Sequence, residues 1–290
     1  MNVQSVAMSG KPTVISTFAG CGGSSLGYKW AGFEELLAIE WDQNAVDTFE
    51  INFPGVPIWK RDMREVTGKE ILQFTGLKVG ELDVLDGSPP CQGFSTARGK
   101  RNVSDERNDL SYEYIRLIKE LQPKVFVMEN VSGVVKGKMR GKFKEIMIAL
   151  KETGYNVKCK LMNSMYYDVP QSRQRLIWIG VKNGQPKYPE PNQKYIYPKK
   201  LDSVDSKYSE RRYGDVIIKE DRPAVTVTTA GRLFWNKNEQ IGLNSYKYIS
   251  SFPLDFKFIG TFSQVKDRIG NAVMPKFMEH IARTIKTKIL

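Results

Sequence analysis

Through its first 181 residues the chain alternates short β-branched or apolar runs with segments of helical spacing, and this alternation is its strongest constraint. The candidate strands are Thr13 to Phe18, Glu35 to Glu40, Glu81 to Asp86, Lys124 to Glu129, Tyr155 to Asn163 and Leu176 to Val181. Between two of them Leu110, Tyr114, Leu117 and Leu121 recur at helical spacing behind Asn108-Asp109, a pair suited to capping a helix. Such a pattern predicts an α/β fold, a mostly parallel sheet covered by helices.

After Lys182 the texture changes to prolines, clustered tyrosines and charges without long apolar periodicity. From Lys182 to Lys237 twelve Lys and Arg face seven Asp and Glu, a net of +5. This stretch is expected to form a small second domain, irregular or β-rich, over about residues 182–261. Residues 1–181 and about 262–290 would make up the large domain. The end, Pro275 to Lys288, is again helical, with Phe277, Ile281 and Ile285 on one face, proline first and basic residues last. The whole chain of 290 residues carries 44 Lys and Arg against 32 Asp and Glu, a formal +12 that suits a polyanionic partner. No run approaches the ~18 apolar residues of a membrane span. The opening MNVQSVAMSGKPTV lacks a signal-peptide layout, so no membrane is expected and the chain should stay in the cytoplasm.

Cys21, Cys91 and Cys159 are too widely spaced for a zinc cluster or a disulfide framework. The single histidine, His280, leaves no room for a multi-histidine metal site, and a Ser-His-Asp or Cys-His centre would have to run through it. No metal is expected, and His280 reads as a bystander on the last helix. The chemistry must fall to cysteine, carboxylates, arginine and a cofactor.

Two motifs stand out. Phe18-Ala19-Gly20-Cys21-Gly22-Gly23 follows the first strand, and glycines there let the backbone turn tightly against a ligand ahead of a helix. Glu40, twenty positions after Gly20, ends the next strand where a nucleoside-binding sheet places the carboxylate for ribose hydroxyls. Trp41 could lie against an adenine, and Asp62 ends a third element. The second motif, Gly87-Ser88-Pro89-Pro90-Cys91-Gln92-Gly93-Phe94-Ser95, leaves the strand ending at Asp86. Most free cysteines are inert and buried. Two prolines fixing the backbone ahead of Cys91 favour a nucleophile instead, although a thiol with an ordinary pKa of ~8.5 needs activation.

Together with Glu129-Asn130-Val131, Gln171-Ser172-Arg173-Gln174-Arg175 and Gly270-Asn271-Ala272-Val273, these motifs resemble, in order and over almost the whole chain, the C5-cytosine-specific DNA methyltransferases that use S-adenosylmethionine. The resemblance implies a Rossmann-like sheet and a cofactor pocket of Phe18, Gly20, Gly22, Gly23, Glu40, Trp41, Asp62, Met63, Pro90, Leu110, Asn271 and Val273, to which the last helix should also return. It implies no metal. Cytosine C5 is a poor nucleophile, so Cys91 should add to C6 while Glu129 bonds N3 and the N4 amino group. Arg173 should hold the O2 edge with Arg175 in support. Because the base is unreachable inside a duplex, it should be flipped out.

The stretch Gln92 to Asp109 resembles the family's mobile catalytic loop, in which Ser95, Arg98 and Arg107 would meet DNA, with Lys100 and Arg101 adding attraction. Lys136, Lys138, Arg140, Lys142 and Lys144 suit phosphate tracking or a solvated helix start equally. Arg211, Arg212 and Arg232 are the candidates for reading bases in the recognition region. Arg232 closes Arg222-Pro223-Ala224-Val225-Thr226-Val227-Thr228-Thr229-Ala230-Gly231, which is similar to a segment of methyltransferases that read G·C-rich sites. Two departures stand out. Asn244-Ser245-Tyr246-Lys247-Tyr248 replaces an Arg-Glu motif that organises the recognition domain, and Met274 replaces a proline. The expected partner is duplex DNA, met by a monomer at the nucleoid, with a cognate restriction endonuclease of the same site left open. The rivals are an RNA cytosine methyltransferase and a non-catalytic DNA-binding relative.

Overall fold

The computed structural model describes residues 10–90, 110–135, 140–205, 215–229 and 231–290. Among these residues seven strands form one sheet: β1 (Thr13–Thr17), β2 (Glu34–Glu40), β3 (Ile58–Lys60), β4 (Val84–Gly87), β5 (Val125–Val131), β6 (Asn156–Asn163) and β7 (Gln174–Val181). Their order is β3-β2-β1-β4-β5-β7-β6, with β1 to β5 parallel and β7 antiparallel to both neighbours. The expected strands are thus present. β3, three residues long, is too short to show periodicity.

Period-two alternation buries both faces of the sheet. Ile15, Leu37, Leu85, Phe126 and Trp178 face one layer, made with α3 (Gly68–Thr75), α4 (Leu110–Leu121) and α5 (Arg140–Lys151). Val14, Val84, Val125, Val127 and Ile177 face the other, made with α1 (Gly23–Trp30) and α8 (Pro275–Lys288). α8 lies so close to α1 that a Cβ at Gly27 would stand 2.7 Å from the Met278 Cβ. Met274 is buried just before α8, whose first position is Pro275, so replacing a proline there leaves the helix start intact.

A second sheet has the order β8-β11-β10-β9, from β8 (Ser203–Asp205), β9 (Val216–Ile217), β10 (Leu233–Asn236) and β11 (Glu239–Ile241). Leu233, Ile241, Tyr246 and Ile249 form its core with Val265 and Ile269, so α6 (Leu243–Ile249) and α7 (Phe262–Asn271) both pack on it. Residues 262–271, expected in the large domain, therefore contribute to the small core. Four phenylalanines, Phe49 and Phe53 of the α2 (Gln43–Asn52) region with Phe252 and Phe256, join that side of the molecule to the Gly-rich turn. Among the described residues no helix is long and apolar enough to cross a membrane.

Candidate active site

β1 and β4 are adjacent where the strand order reverses, and at such a switch point an open α/β sheet leaves a crevice beyond its carboxyl ends. A cavity of about 760 Å3 lies there. The Gly-rich turn enters it with Phe18 at φ 54° and Gly20 at φ 56°, and a Cβ on Gly20 would meet nothing within 4 Å. At the end of β2 the buried Glu40 accepts the Gly20 N–H on Oε2 at 2.8 Å and the Trp41 and Asp42 N–H groups on Oε1 at 3.0 Å each. One carboxylate therefore fixes both the glycine turn and the corner after β2. Beside it Trp41 is 70% exposed, an indole left out of any core. Asp62 accepts from the Arg64 N–H at 2.9 Å, and its hydrogen bond from the Arg64 guanidinium holds its carboxyl below the ordinary range. Met63, Pro90, Leu110, Asn271 and Val273 complete this part of the wall. Two carboxylates, a free indole face and an open glycine turn make a donor set that fits S-adenosylmethionine.

Gly22 and Gly23 serve the turn differently. A Cβ would stand 2.3 Å from the Phe53 ring at Gly22 and 2.2 Å from the Val273 carbonyl oxygen at Gly23. They allow the loop to sit tightly on α2 and on the α7–α8 connection without lining the cavity.

The other wall comes from β5 and β7. Val131 lies opposite Arg175 and Glu129 opposite Ile177, which makes Glu129 and Arg175 diagonal neighbours on one face. Arg175 Nε donates to Glu129 Oε1 at 2.7 Å, with both side chains about a tenth exposed. Asn130 Nδ2 donates to the Pro89 carbonyl at 3.1 Å and so pins the turn after β4 to β5. Arg173 also lines the cavity and is buried: Nη1 donates to the Val227 carbonyl at 3.1 Å, and Nη2 to those of Gly270 and Ala272 at 2.8 and 3.2 Å. Among the described residues its Nε has no partner, and burial, ahead of repulsion from Arg175, pushes its pKa down to about 9. Arg175 stands with Glu129, and Arg173 ties the start of β7 to Val227 and to the end of α7.

Arg232 is engaged away from the cavity. Its guanidinium meets the buried Asp215 carboxylate at 2.7 Å and stacks 5.0 Å from the Phe234 ring. On α5, Arg140 and Lys144 are exposed, whereas Lys142 lies 4.6 Å over the Tyr112 ring. Cys91, Ser95, Arg98, Lys100, Arg101, Arg107, Lys136, Lys138, Arg211 and Arg212 lie outside the described residues. His280 is less of a bystander than expected, since its Nε2 stands 2.8 Å from Asp168 Oδ2. Sequence reasoning missed Arg268, which lines the cavity and pairs with Asp42 at 2.5 Å. It missed Gln171 as well, a fully buried amide that accepts from the Val227 N–H at 3.1 Å and donates to Ser250 Oγ at 3.2 Å. The signal for Gln171 was its place at the head of the Gln171 to Arg175 motif; for Arg268 it was only its closeness to Gly270-Asn271.

The family model of C-5 cytosine-specific DNA methylases matches residues 12–242 and 203–287. The chain is 32% identical to the type II methyltransferase M1.HphI of Haemophilus parahaemolyticus over 94% of its own length and 86% of that protein's. It is 30% identical to M.FnuDI of Fusobacterium nucleatum over 94% of both. Among solved structures, a putative DNA modification methyltransferase from an E. coli prophage superposes with a TM-score of 0.79 at 23% identity, covering 95% of this chain and 99% of that one. The S. pombe Dnmt2 methyltransferase shares the fold at a TM-score of 0.73 and 15% identity, over 97% of this chain and all of the other. With its switch-point cavity and its ordered motifs, the chain belongs to the C-5 cytosine-specific DNA methylase family.

Proposed function

We propose that this DNA cytosine-5 methyltransferase acts on a cytosine turned out of a short specific duplex sequence, through a covalent bond between Cys91 and C6. The observation that carries the reading is the Glu129–Arg175 pair sharing one cavity with Glu40, Trp41, Asp62 and Pro90, the residue directly before Cys91. S-adenosylmethionine, held by Glu40, Trp41, Asp62, Asn271 and Val273, would supply an electrophilic methyl on a sulfonium. The Cys91 thiolate adds to C6 and makes C5 enamine-like. Glu129, in its protonated form, donates to N3 and accepts from the N4 amino group, relieving the charge that addition puts on the ring. Arg175, paired with Glu129, orients it and is assigned to the O2 edge. Once C5 carries the transferred methyl and S-adenosylhomocysteine is left behind, loss of the C5 proton to water or hydroxide and elimination of Cys91 restore the enzyme.

The large sheet with α8 forms the catalytic unit in this reading, and the small sheet with α6 and α7 forms the recognition unit. The segment Ala224 to Val227 is stitched to the Gln171 motif by a bridge between Gln171 and Ala224 and by the Ser172 N–H donating to the Ala224 carbonyl at 2.8 Å, so it supports recognition next to the base. Arg232 is assigned to scaffolding, which leaves Arg211 and Arg212 as the candidates for reading bases. The type II methyltransferases among the relatives favour duplex DNA over RNA. A duplex carrying 5-fluorocytosine should trap a covalent adduct with the wild type and none with Cys91→Ser, and absence of the wild-type adduct would sink the reading. Labelled methyl should enter duplex DNA and not tRNA.

A further inference from the structure

α2 starts directly after the Glu40–Trp41 corner, and one of its sides is occupied by the chain leading into and along α7. Asn44, Thr48 and Asn52 recur every four residues and so share a face. Asn52 Oδ1 accepts from the Lys257 N–H at 2.9 Å and its Nδ2 donates to the Lys257 carbonyl at 2.7 Å. Thr48 Oγ1 accepts from the Ile259 N–H at 3.3 Å, and Asn44 Oδ1 accepts from Arg268 Nε at 3.2 Å. Asp42 completes the ladder: it caps α2 by accepting from the Ala45 N–H at 3.0 Å and pairs with Arg268 Nη2 at 2.5 Å. Asp42 and Arg268 both line the cavity. α7, meanwhile, buries Val265 and Ile269 in the small sheet, and its Lys266 donates to the Thr229 carbonyl at 2.9 Å.

We propose that Arg268 is a positioning residue for the cofactor corner, holding Glu40 and Trp41 at the cavity through Asp42 and linking cofactor affinity to the seating of the recognition sheet. The inference rests on reading the cavity as the S-adenosylmethionine pocket. The Asp42 N–H is itself bound by Glu40, so a displaced Asp42 drags the corner with it. Because α7 is rooted in the small sheet, a shift of that sheet reaches Asp42 through Arg268.

The test is calorimetric titration of S-adenosylhomocysteine into the full-length protein, with and without a target duplex, alongside steady-state kinetics. Arg268→Ala should raise the cofactor Kd and KM about five-fold, the scale of a partly buried ion pair, with a smaller effect on kcat. Duplex should tighten S-adenosylhomocysteine in the wild type and do so less in the variant. Asp42→Asn should give a similar loss, and the double variant should be no worse than either single one. Arg268→Lys, expected to cost about two-fold, reads the same contact should the alanine variant fail to fold. If the wild type does not bind S-adenosylhomocysteine, the cofactor reading fails and takes this inference with it. If the wild type binds but Arg268→Ala and Arg268→Lys match it, or the losses of Arg268→Ala and Asp42→Asn simply add, only the positioning role is overturned.

Discussion

Glu129 and Arg175 sit where the apolar stripe formed by Val125, Val127, Ile177 and Ile179 runs out into the cavity, so strand alternation itself aims them at the same place. The sequence carried this face in its period of two, but that Arg175 rather than Arg173 pairs with Glu129 depended on register, which pairing across strands decides. Glu129→Gln keeps the shape and removes the transferable proton. Turnover should fall about 10²–10⁴-fold while S-adenosylhomocysteine affinity holds, as single-turnover assays and titration would show. Arg173→Ala should act on stability instead, because three backbone carbonyls lose a charged donor inside the protein. A cost of about 3 kcal/mol, or a melting point lower by roughly 6–12 °C in calorimetry, is expected. Behind the turn that leads to Cys91, the buried Asp86 is 3.3 Å from the Tyr28 hydroxyl, and burial pushes its carboxyl up to about 8. Its folded pKa stands above its unfolded one, so between about pH 4 and 8 the folded state holds a proton that the unfolded state has released. The stabilisation is complete below pH 4 and is lost as pH rises through 8, at up to about 1.4 kcal/mol per pH unit. Thermal midpoints should fall between pH 5.5 and 8.5, and Asp86→Asn should flatten that fall.

At the level of elements, α6 shows how a departure from the family pattern is absorbed. Asn244-Ser245 stands where the resemblance led to an Arg-Glu pair, and the replacement comes from forty residues away. The Asp202 carboxylate accepts the Asn244 and Ser245 N–H groups at 2.8 Å each, which satisfies donors at the helix start. Ser245 Oγ in turn accepts from the Asp202 N–H at 3.1 Å. Gly242 is needed for this approach, since a Cβ there would stand 2.3 Å from the Asp202 carboxyl carbon. Tyr246 replaces motif contacts with bulk: it is fully buried, and its hydroxyl accepts from the Leu233 N–H at 3.1 Å. None of this is legible in the sequence, because a cap supplied from a distant loop has no local spacing. α8, by contrast, was legible from its proline, its apolar stripe and its basic last turn. Asp202→Ala should cost about 1–2 kcal/mol. Hydrogen exchange should show it as faster exchange of the α6 amides with those of β4 and β5 unchanged; uniform acceleration across both sheets would mean that α6 has no separate cap.

For the molecule as a whole, the large sheet could be read from the sequence because burial on both faces writes itself as apolar runs, whereas the small sheet could not. Its strands are two to four residues long, too short to display a period, and their partners lie across gaps that only the tertiary fold closes. Charge was legible at this scale although geometry was not. The overall +12 is concentrated in part between Lys182 and Lys237, where the excess is +5, and this stretch supplies β8, β9 and β10 of the small sheet and leads directly into β11. In the proposed function, charge placed there would act on the duplex backbone and release counterions on binding, so the affinity should carry its signature. If each of those five excess charges neutralises one phosphate, the logarithm of the binding constant falls against the logarithm of salt concentration with a slope of about −4.5. Fluorescence anisotropy with a short duplex between about 50 and 200 mM salt measures it. A slope shallower than about −2 would mean that the basic stretch faces solvent and that specificity is carried by few, mostly uncharged contacts.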